Sequence, residues 1–125
     1  MRLLLDTQIF VWSVQASGQL SAAARRMITD ADAVFVSIAS IWELALKAQL
    51  KKVEGDVQAL ADAIEPSGFR ELAVTGRHAA AVSQLPLHHS DPFDRLLLAQ
   101  SFSEPLHLLT ADRRLAAYGG NVRLL

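Results

Sequence analysis

Two carboxylates three positions apart, Asp91 and Asp94, open the stretch SDPFDRLLLAQ at 90–100, with Pro92 between them and an apolar run directly behind. Proline suits the first position of a helix, where its missing N–H would have no intrahelical partner anyway. Asp91 is then the N-cap, and Asp94 sits in the first turn. Acids there gain only ~0.3–1 kcal/mol each from the helix dipole, so a well-made helix start accounts for this stretch taken alone. Three further acids, Asp6, Glu43 and Asp112, stand in comparable places elsewhere, and the set points to chemistry. At ~4 Å and an effective dielectric of ~20, each pair of like charges costs roughly 4 kcal/mol. Carboxylates gathered in a small space must therefore protonate, spread apart or hold a cation. An all-oxygen donor set suits Mg²⁺ or Mn²⁺ rather than zinc. Magnesium keeps several waters and takes one or two carboxylates, which leaves room for a substrate phosphate and an attacking water. The chemistry that fits is metal-assisted phosphodiester hydrolysis with one or two ions.

The elements that must bring these acids together follow from the apolar pattern. Arg2 to Leu5 reads as a short buried strand, because a helical pattern (Ile9, Phe10, Trp12) begins right after Asp6. Ser21 caps a second helix with Ala22, Ala23, Met27 and Ile28 on its apolar side, and Asp30 to Asp32 is a polar turn. Ala33 to Ser37 is the second strand. A longer helix runs from about Ala39 to Lys51, with Ile41, Leu44, Ala45 and Ala48 inward. Ser40 and Glu43 have the spacing of a capping box, and Glu43 and Lys47 that of an i, i+4 ion pair. Val53 to Ile64 is a helix stopped by Pro66, Phe69 to Val74 a third strand, and Thr75 to Leu85 a further helix. Pro86 to Ser90 is a loop whose adjacent His88 and His89 read as solvated. The helix opened by Asp91 runs to about Ser103. Leu106 to Leu109 is the fourth strand, Thr110 and Asp112 open a short helix ending at Gly119-Gly120, and Val122 to Leu125 is the last strand.

Strands alternating with helices imply a parallel sheet with right-handed crossovers. Each helix that follows a strand starts at the strand's carboxyl edge, where ligands bind in open α/β sheets. Asp6, Glu43 and Asp112 lie at such starts. Asp94 begins a helix that runs antiparallel to the strand it leads into, so it reaches the same edge. The order of elements thus predicts one acidic rim built from distant parts of the chain.

The 125 residues fit one domain over 1–125, and 51% hydrophobic with 20% charged residues excludes a disordered chain. There is no cysteine, which suits a reducing cytoplasm and leaves no disulfide frame. The apolar start MRLLL is broken by Asp6, too short for a signal peptide core, and no run approaches the ~20 apolar residues that span a bilayer. The net charge of −1 does not by itself suggest a nucleic-acid binder. Setting aside Asp6, Glu43, Asp91, Asp94 and Asp112, however, leaves eight acids against 12 Lys and Arg. Charge balance is therefore neutral on the question.

The segments LLLDT at 3–7, SIASIWELALK at 37–47, SDPFDRLLLAQ at 90–100 and LLTADRRLAAYG at 108–119, in this order and spacing, give the chain a family likeness over nearly its whole length. It resembles the PIN-domain ribonucleases, and within them the VapC-like toxins of bacterial toxin–antitoxin pairs. The resemblance implies a three-layer α/β/α sandwich with a parallel sheet of strand order 3-2-1-4-5. It implies that Asp6, Glu43, Asp94 and Asp112 form a Mg²⁺ or Mn²⁺ site. Asp6 and Asp94 would be the main ligands, Glu43 would orient or deprotonate the attacking water, and Asp112 would hold a second ion or a water on the first. Asp91 would be a helix cap or a support behind the ligands. Thr7, Ser40 and Thr110 would cap helices and bond to the carboxylates. Pro105 departs from the glycine frequent in relatives, at a turn away from the site.

On this reading the substrate is RNA, single-stranded or looped, whose bases are exposed. Arg95, Arg113 and Arg114 are candidates to grip phosphates, against a plain role as solvated surface, with Lys47, Lys51 and Lys52 extending the basic flank. A toxin implies a cognate antitoxin laying an amphipathic segment across the faces around Ala22–Ile28 and Val53–Ile64, and homodimerisation is expected of the family. Two rivals remain. A phospho-acceptor receiver would want paired acids after the first strand, and a phosphatase an aspartate two positions on, where Gln8 stands. A non-catalytic binding module would keep the acids only as helix caps.

Overall fold

Three leucines behind Arg2 make β1 (Arg2–Leu5), the middle strand of the sheet, and all three are fully buried. Burial on both faces is what a central parallel strand requires. The computed structural model describes residues 1–51 and 55–125. After β1 come α1 (Thr7–Val14), α2 (Ala22–Asp30), β2 (Ala33–Ser37), α3 (Ile38–Gln49), α4 (Val57–Asp62) and β3 (Arg70–Leu72). Then follow α5 (Gly76–Ala81), a 3-10 turn (Val82–Gln84), α6 (Pro92–Ser103), β4 (His107–Thr110), a 3-10 helix (Arg113–Tyr118) and β5 (Val122–Leu124).

The strands lie in the order β3-β2-β1-β4-β5, and every pairing is parallel. Leu5 is level with Val36 on one side and with Leu109 on the other, so three strands end together at one edge. Side chains alternate across the sheet. Leu3, Leu5 and Leu109 pack with Ile9, Phe10, Ala24 and Leu44 on one face, beneath α1 to α4. Leu4 and Leu108 pack with Leu97, Leu98 and Leu115 on the other, beneath α6 and the 3-10 helix, and α5 lies against α6. Two helical layers around a parallel sheet make the three-layer α/β/α sandwich expected from the resemblance.

Several boundaries differ from the sequence reading. β3 is confined to Arg70–Leu72, at the sheet edge, where only β2 offers a ladder. β4 takes in Thr110, whose carbonyl accepts the Leu125 N–H at 2.9 Å. Asp56 caps α4, so that helix starts at Val57; the earlier start at Val53 lies outside the described residues. The helix expected over 75–85 tightens to 3-10 after Ala81, and Leu85 is extended. The residue before a proline is pushed out of the helical region, and Pro86 follows. Among the described residues no helix is long and apolar enough to cross a membrane.

The capping box expected at Ser40 and Glu43 is absent. The N-cap of α3 is Ser37, whose hydroxyl accepts from the Ala39 N–H at 3.0 Å, so the helix begins directly at the end of β2. Ser40 and Glu43 are consequently inside the helix, and Glu43 is free of any capping duty.

Candidate active site

The carboxyl edge of the sheet carries a cleft of about 500 Å³ whose walls include Asp6, Thr7, Glu43, Lys47, Asp91, Asp94, Asp112 and Arg114. Each acid arrives there by a different local device. Asp6 ends β1 and caps α1, its Oδ1 accepting the Ile9 N–H at 2.8 Å, and its Oδ2 accepts the Thr110 hydroxyl proton from the end of β4. Thr110 Oγ1 in turn accepts the Asp112 N–H at 3.0 Å, so one hydroxyl ties two of the acids together. Glu43, in the second turn of α3, is buried; its Oε1 accepts the Thr7 hydroxyl at 2.6 Å and its Oε2 pairs with Lys47 Nζ at 2.7 Å. Thr7 Oγ1 also lies 3.0 Å from Ser40 Oγ, so Ser40 supports the cluster through Thr7 and caps no helix. Asp91 caps α6 by accepting the Asp94 N–H at 2.9 Å. Asp112 caps the following 3-10 helix and binds Arg114 through both oxygens, at 3.0 and 2.8 Å.

Burial dominates the electrostatics. It pushes the Asp6 carboxyl up to about 6, helped by the nearby Asp94 and Glu43 and opposed by the bonds from Thr110 and Ile9. Asp94 is also raised, first by burial and then by Asp91 and Glu43, against the hydrogen bond from His89. Asp112 is held low, chiefly by its hydrogen bond with Arg114. Desolvated carboxylates facing one another favour either a proton or a cation. An all-carboxylate group with free lone pairs turned into a polar cleft is a donor set that fits a hard divalent ion. Asp6, Glu43, Asp94 and Asp112 all line this cleft, each from a different element.

Two expectations are overturned at the loop before α6. His88 and His89 read as solvated, yet His89 is buried, with Nε2 at 2.7 Å from Asp94 Oδ2. One donor atom each from His89, Asp94 and Asp112 lie within 4.8 Å of one another. His88 is exposed and packs edge-on to Tyr118, centroids 5.1 Å apart. Arg95, expected either on phosphate or in solvent, does neither: it is buried and donates to Pro86, His89, Val82 and Leu85 carbonyls and to the Tyr118 hydroxyl. Its place in the first turn of α6, one position after Asp94, turns it inward under the loop. The sequence signal for His89 is its place five residues before Asp94, set against a polar loop in which adjacent histidines are exposed on local grounds. Arg113 is exposed, Arg114 flanks the cleft, and Lys52 lies outside the described residues.

Residues 3–121 match the family model described as PIN domain. The chain is 31% identical over 117 residues to Ribonuclease VapC22 of Mycobacterium tuberculosis, covering 92% of this chain and 90% of that protein. Among solved structures, VapBC2 from Rickettsia felis bound to a promoter DNA fragment aligns at a TM-score of 0.71 and 16% identity, over 100% of this chain and 98% of that one. VapC20 of Mycobacterium tuberculosis, a sarcin-ricin loop cleaving toxin, aligns at a TM-score of 0.63 and 17% identity, over 97% and 98%. These two structural likenesses speak for the fold.

Proposed function

The chain belongs to the PIN-domain family, and from that premise we propose that it is a Mg²⁺- or Mn²⁺-dependent endoribonuclease, the toxin of a VapC-type toxin–antitoxin pair. The observation that carries the reading is the shared cleft of Asp6, Glu43, Asp94 and Asp112. The likeness to a ribonuclease supports the substrate class.

Asp6 and Asp94 would hold the ion, with Asp112 beside them. The ion, when bound, supplies positive charge for the scissile phosphate and acidifies a water. Asp6 is kept in one orientation by Thr110 and the α1 N-terminus. Glu43, steadied by Thr7 and Lys47, would orient the attacking water and accept its proton. Lys47 also brings a cation to a wall of the cleft, where it would meet a phosphate once Glu43 is otherwise engaged. Arg114, 71% exposed, can leave Asp112 for a phosphate at little cost.

The binding-module reading is partly right about the parts and fails on the whole. Asp6, Asp91 and Asp112 do cap helices. Glu43 and Asp94 accept no capping N–H, and a helix dipole or one ion pair supports an acid wherever it faces, so neither requires the two to face one cleft.

The partners follow from the same premise. A toxin-antitoxin complex from Klebsiella pneumoniae shares this fold, and a cognate antitoxin would cover this cleft. A groove of about 390 Å³ along α2, lined by Ala23, Met27, Arg26 and Met1, is where an apolar antitoxin segment would seat. A second copy of the chain would cover the exposed Trp42, Leu46 and Leu50 along α3. Incubation with a mixed RNA pool, with and without Mg²⁺, beside the Asp94→Asn form, tests the activity. Metal-dependent cuts by the parent and none by the variant are expected; equal cutting by both defeats the site assignment.

A further inference from the structure

Arg95 is a buried guanidinium with no carboxylate partner among the described residues. Its Nη1 donates to Pro86 O at 3.0 Å, His89 O at 3.3 Å and Tyr118 Oη at 3.3 Å. Its Nη2 donates to Val82 O at 3.2 Å and Leu85 O at 3.5 Å. The Tyr118 hydroxyl then donates to Pro86 O at 2.9 Å. A buried charge is expensive unless hydrogen-bonded, and here the bonds all go to the segment 82–89 and to the tyrosine behind it. One side chain therefore staples that segment to α6.

The stapled segment ends at His89, which returns to α6 one residue before the staple: Nε2 lies 2.7 Å from Asp94 Oδ2. Asp94 and Arg95 are neighbours in sequence but point to different sides, one into the cleft and one under the loop. The connection from Arg95 through the loop to His89 and back to Asp94 is thus closed. With Asp94 ionised, as cation binding requires, Nε2 must carry the proton it donates. An Nε2 so engaged has no lone pair for an ion. It fixes Oδ2 and leaves Oδ1 as the oxygen free to meet one.

We propose that His89 is a positioning residue for the Asp94 carboxylate, clamped by Arg95, and that it sets the affinity of the cleft for its divalent cation through this hydrogen bond rather than as a ligand. The inference rests on the metal-dependent reading above and adds two residues to it. It also explains a buried arginine beside an acidic cleft that binds no acid: its positive charge serves the loop backbone. Partners that orient a ligand typically change metal affinity 10–100-fold on removal.

Mn²⁺ alone is the probe, titrated against the full chain by electron paramagnetic resonance of the free ion. His89→Ala is expected to weaken Mn²⁺ binding by about 10–100-fold, and His89→Gln, which keeps an N–H donor, to recover most of that loss. The double variant His89→Ala with Arg95→Gln should bind no more weakly than His89→Ala alone, because Arg95 acts through His89. Tyr118→Phe loosens the same clamp more gently and should lower affinity only while His89 is present. Electron spin echo modulation of the Mn²⁺ form should lack the nitrogen signature of a coordinated imidazole. Unchanged Mn²⁺ affinity in His89→Ala, or a coordinated-nitrogen signature, overturns the inference and leaves the nuclease reading standing. A parent chain that binds no Mn²⁺ overturns both.

Discussion

The Thr7 hydroxyl donates to Glu43 Oε1 at 2.6 Å, joining the first residue of α1 to the second turn of α3. Neither residue has a local reason to face the other. The bond sets which Glu43 oxygen is left to exchange Lys47 for a water. Thr7→Val keeps the shape and removes the donor. It is expected to lower cleavage by about 10–100-fold, as other losses of ligand-orienting partners do, and Thr7→Ser to restore most of it. Initial rates on a fluorogenic RNA at saturating Mg²⁺ measure both; a Thr7→Val enzyme as fast as the parent argues against Glu43 needing this support.

The two serines flanking the start of α3 should separate cleanly. Ser37 is the cap, so Ser37→Ala should cost about 0.5–2 kcal/mol of stability. Ser40 is buried against Thr7, so Ser40→Ala should act on cleavage through Thr7 and Glu43. Urea unfolding beside RNA-cleavage rates checks the pair. Were Ser40→Ala the variant with the capping loss, the helix start would be misassigned.

Neutralising a ligand should help the metal-free fold while removing activity. Asp6 is buried with its carboxyl raised to about 6, so at pH 7.5 its ionised form is held at a cost on the order of 1–3 kcal/mol. Asp6→Asn keeps Oδ1 as the acceptor for the Ile9 N–H and turns an amide N–H toward the Thr110 hydroxyl oxygen, which must then accept instead of donate. A higher thermal midpoint in EDTA together with lost cleavage is the expected result. A lower midpoint would mean that the charge stabilises the fold even without a cation.

Stability should depend on pH in a definite direction. Asp6 has a folded pKa of about 6 against 3.8 unfolded, and Asp94 is raised in the same sense. Between about pH 4 and 6 the folded chain therefore holds protons that the unfolded chain has released, and stability falls as pH rises through that window. Asp112, held low by Arg114, acts oppositely but only at more acidic pH. In EDTA the midpoint should drop from about pH 4.5 to 7. Saturating Mg²⁺ should restore it, more at the higher pH, by roughly 2.7 kcal/mol at 100 times its dissociation constant. Calorimetry at a series of pH values, with and without Mg²⁺, shows the sign; a midpoint that climbs across the window in EDTA would contradict the buried-carboxylate account.

Much of the molecule was legible before folding. Apolar runs of strand length alternating with helical stripes placed β1 and β2 residue for residue, and the Pro92 start located α6 with Asp91 as its cap. These features are local: pleat period, helix period, a proline and a capping carboxylate act over a few residues. The capping box at Ser40 shows the limit of such logic. Its spacing was right, but Ser37 lies at the end of β2, and the strand's exit direction selected the earlier serine.

By itself the sequence determined the element order, the parallel sheet and the edge at which the acids gather, because short connections and right-handed crossovers leave little freedom once the periods are known. Tertiary structure alone decided the burial of His89, the inward turn of Arg95 and which carboxylate Thr7 meets. A histidine in a polar loop and an arginine in a first turn are exposed on local grounds. They are buried here because five acceptors, four carbonyls of the segment 82–89 and the Tyr118 hydroxyl, converge on one guanidinium. The direction of a backbone carbonyl is written in no side chain, and it appears only once the loop has closed over α6.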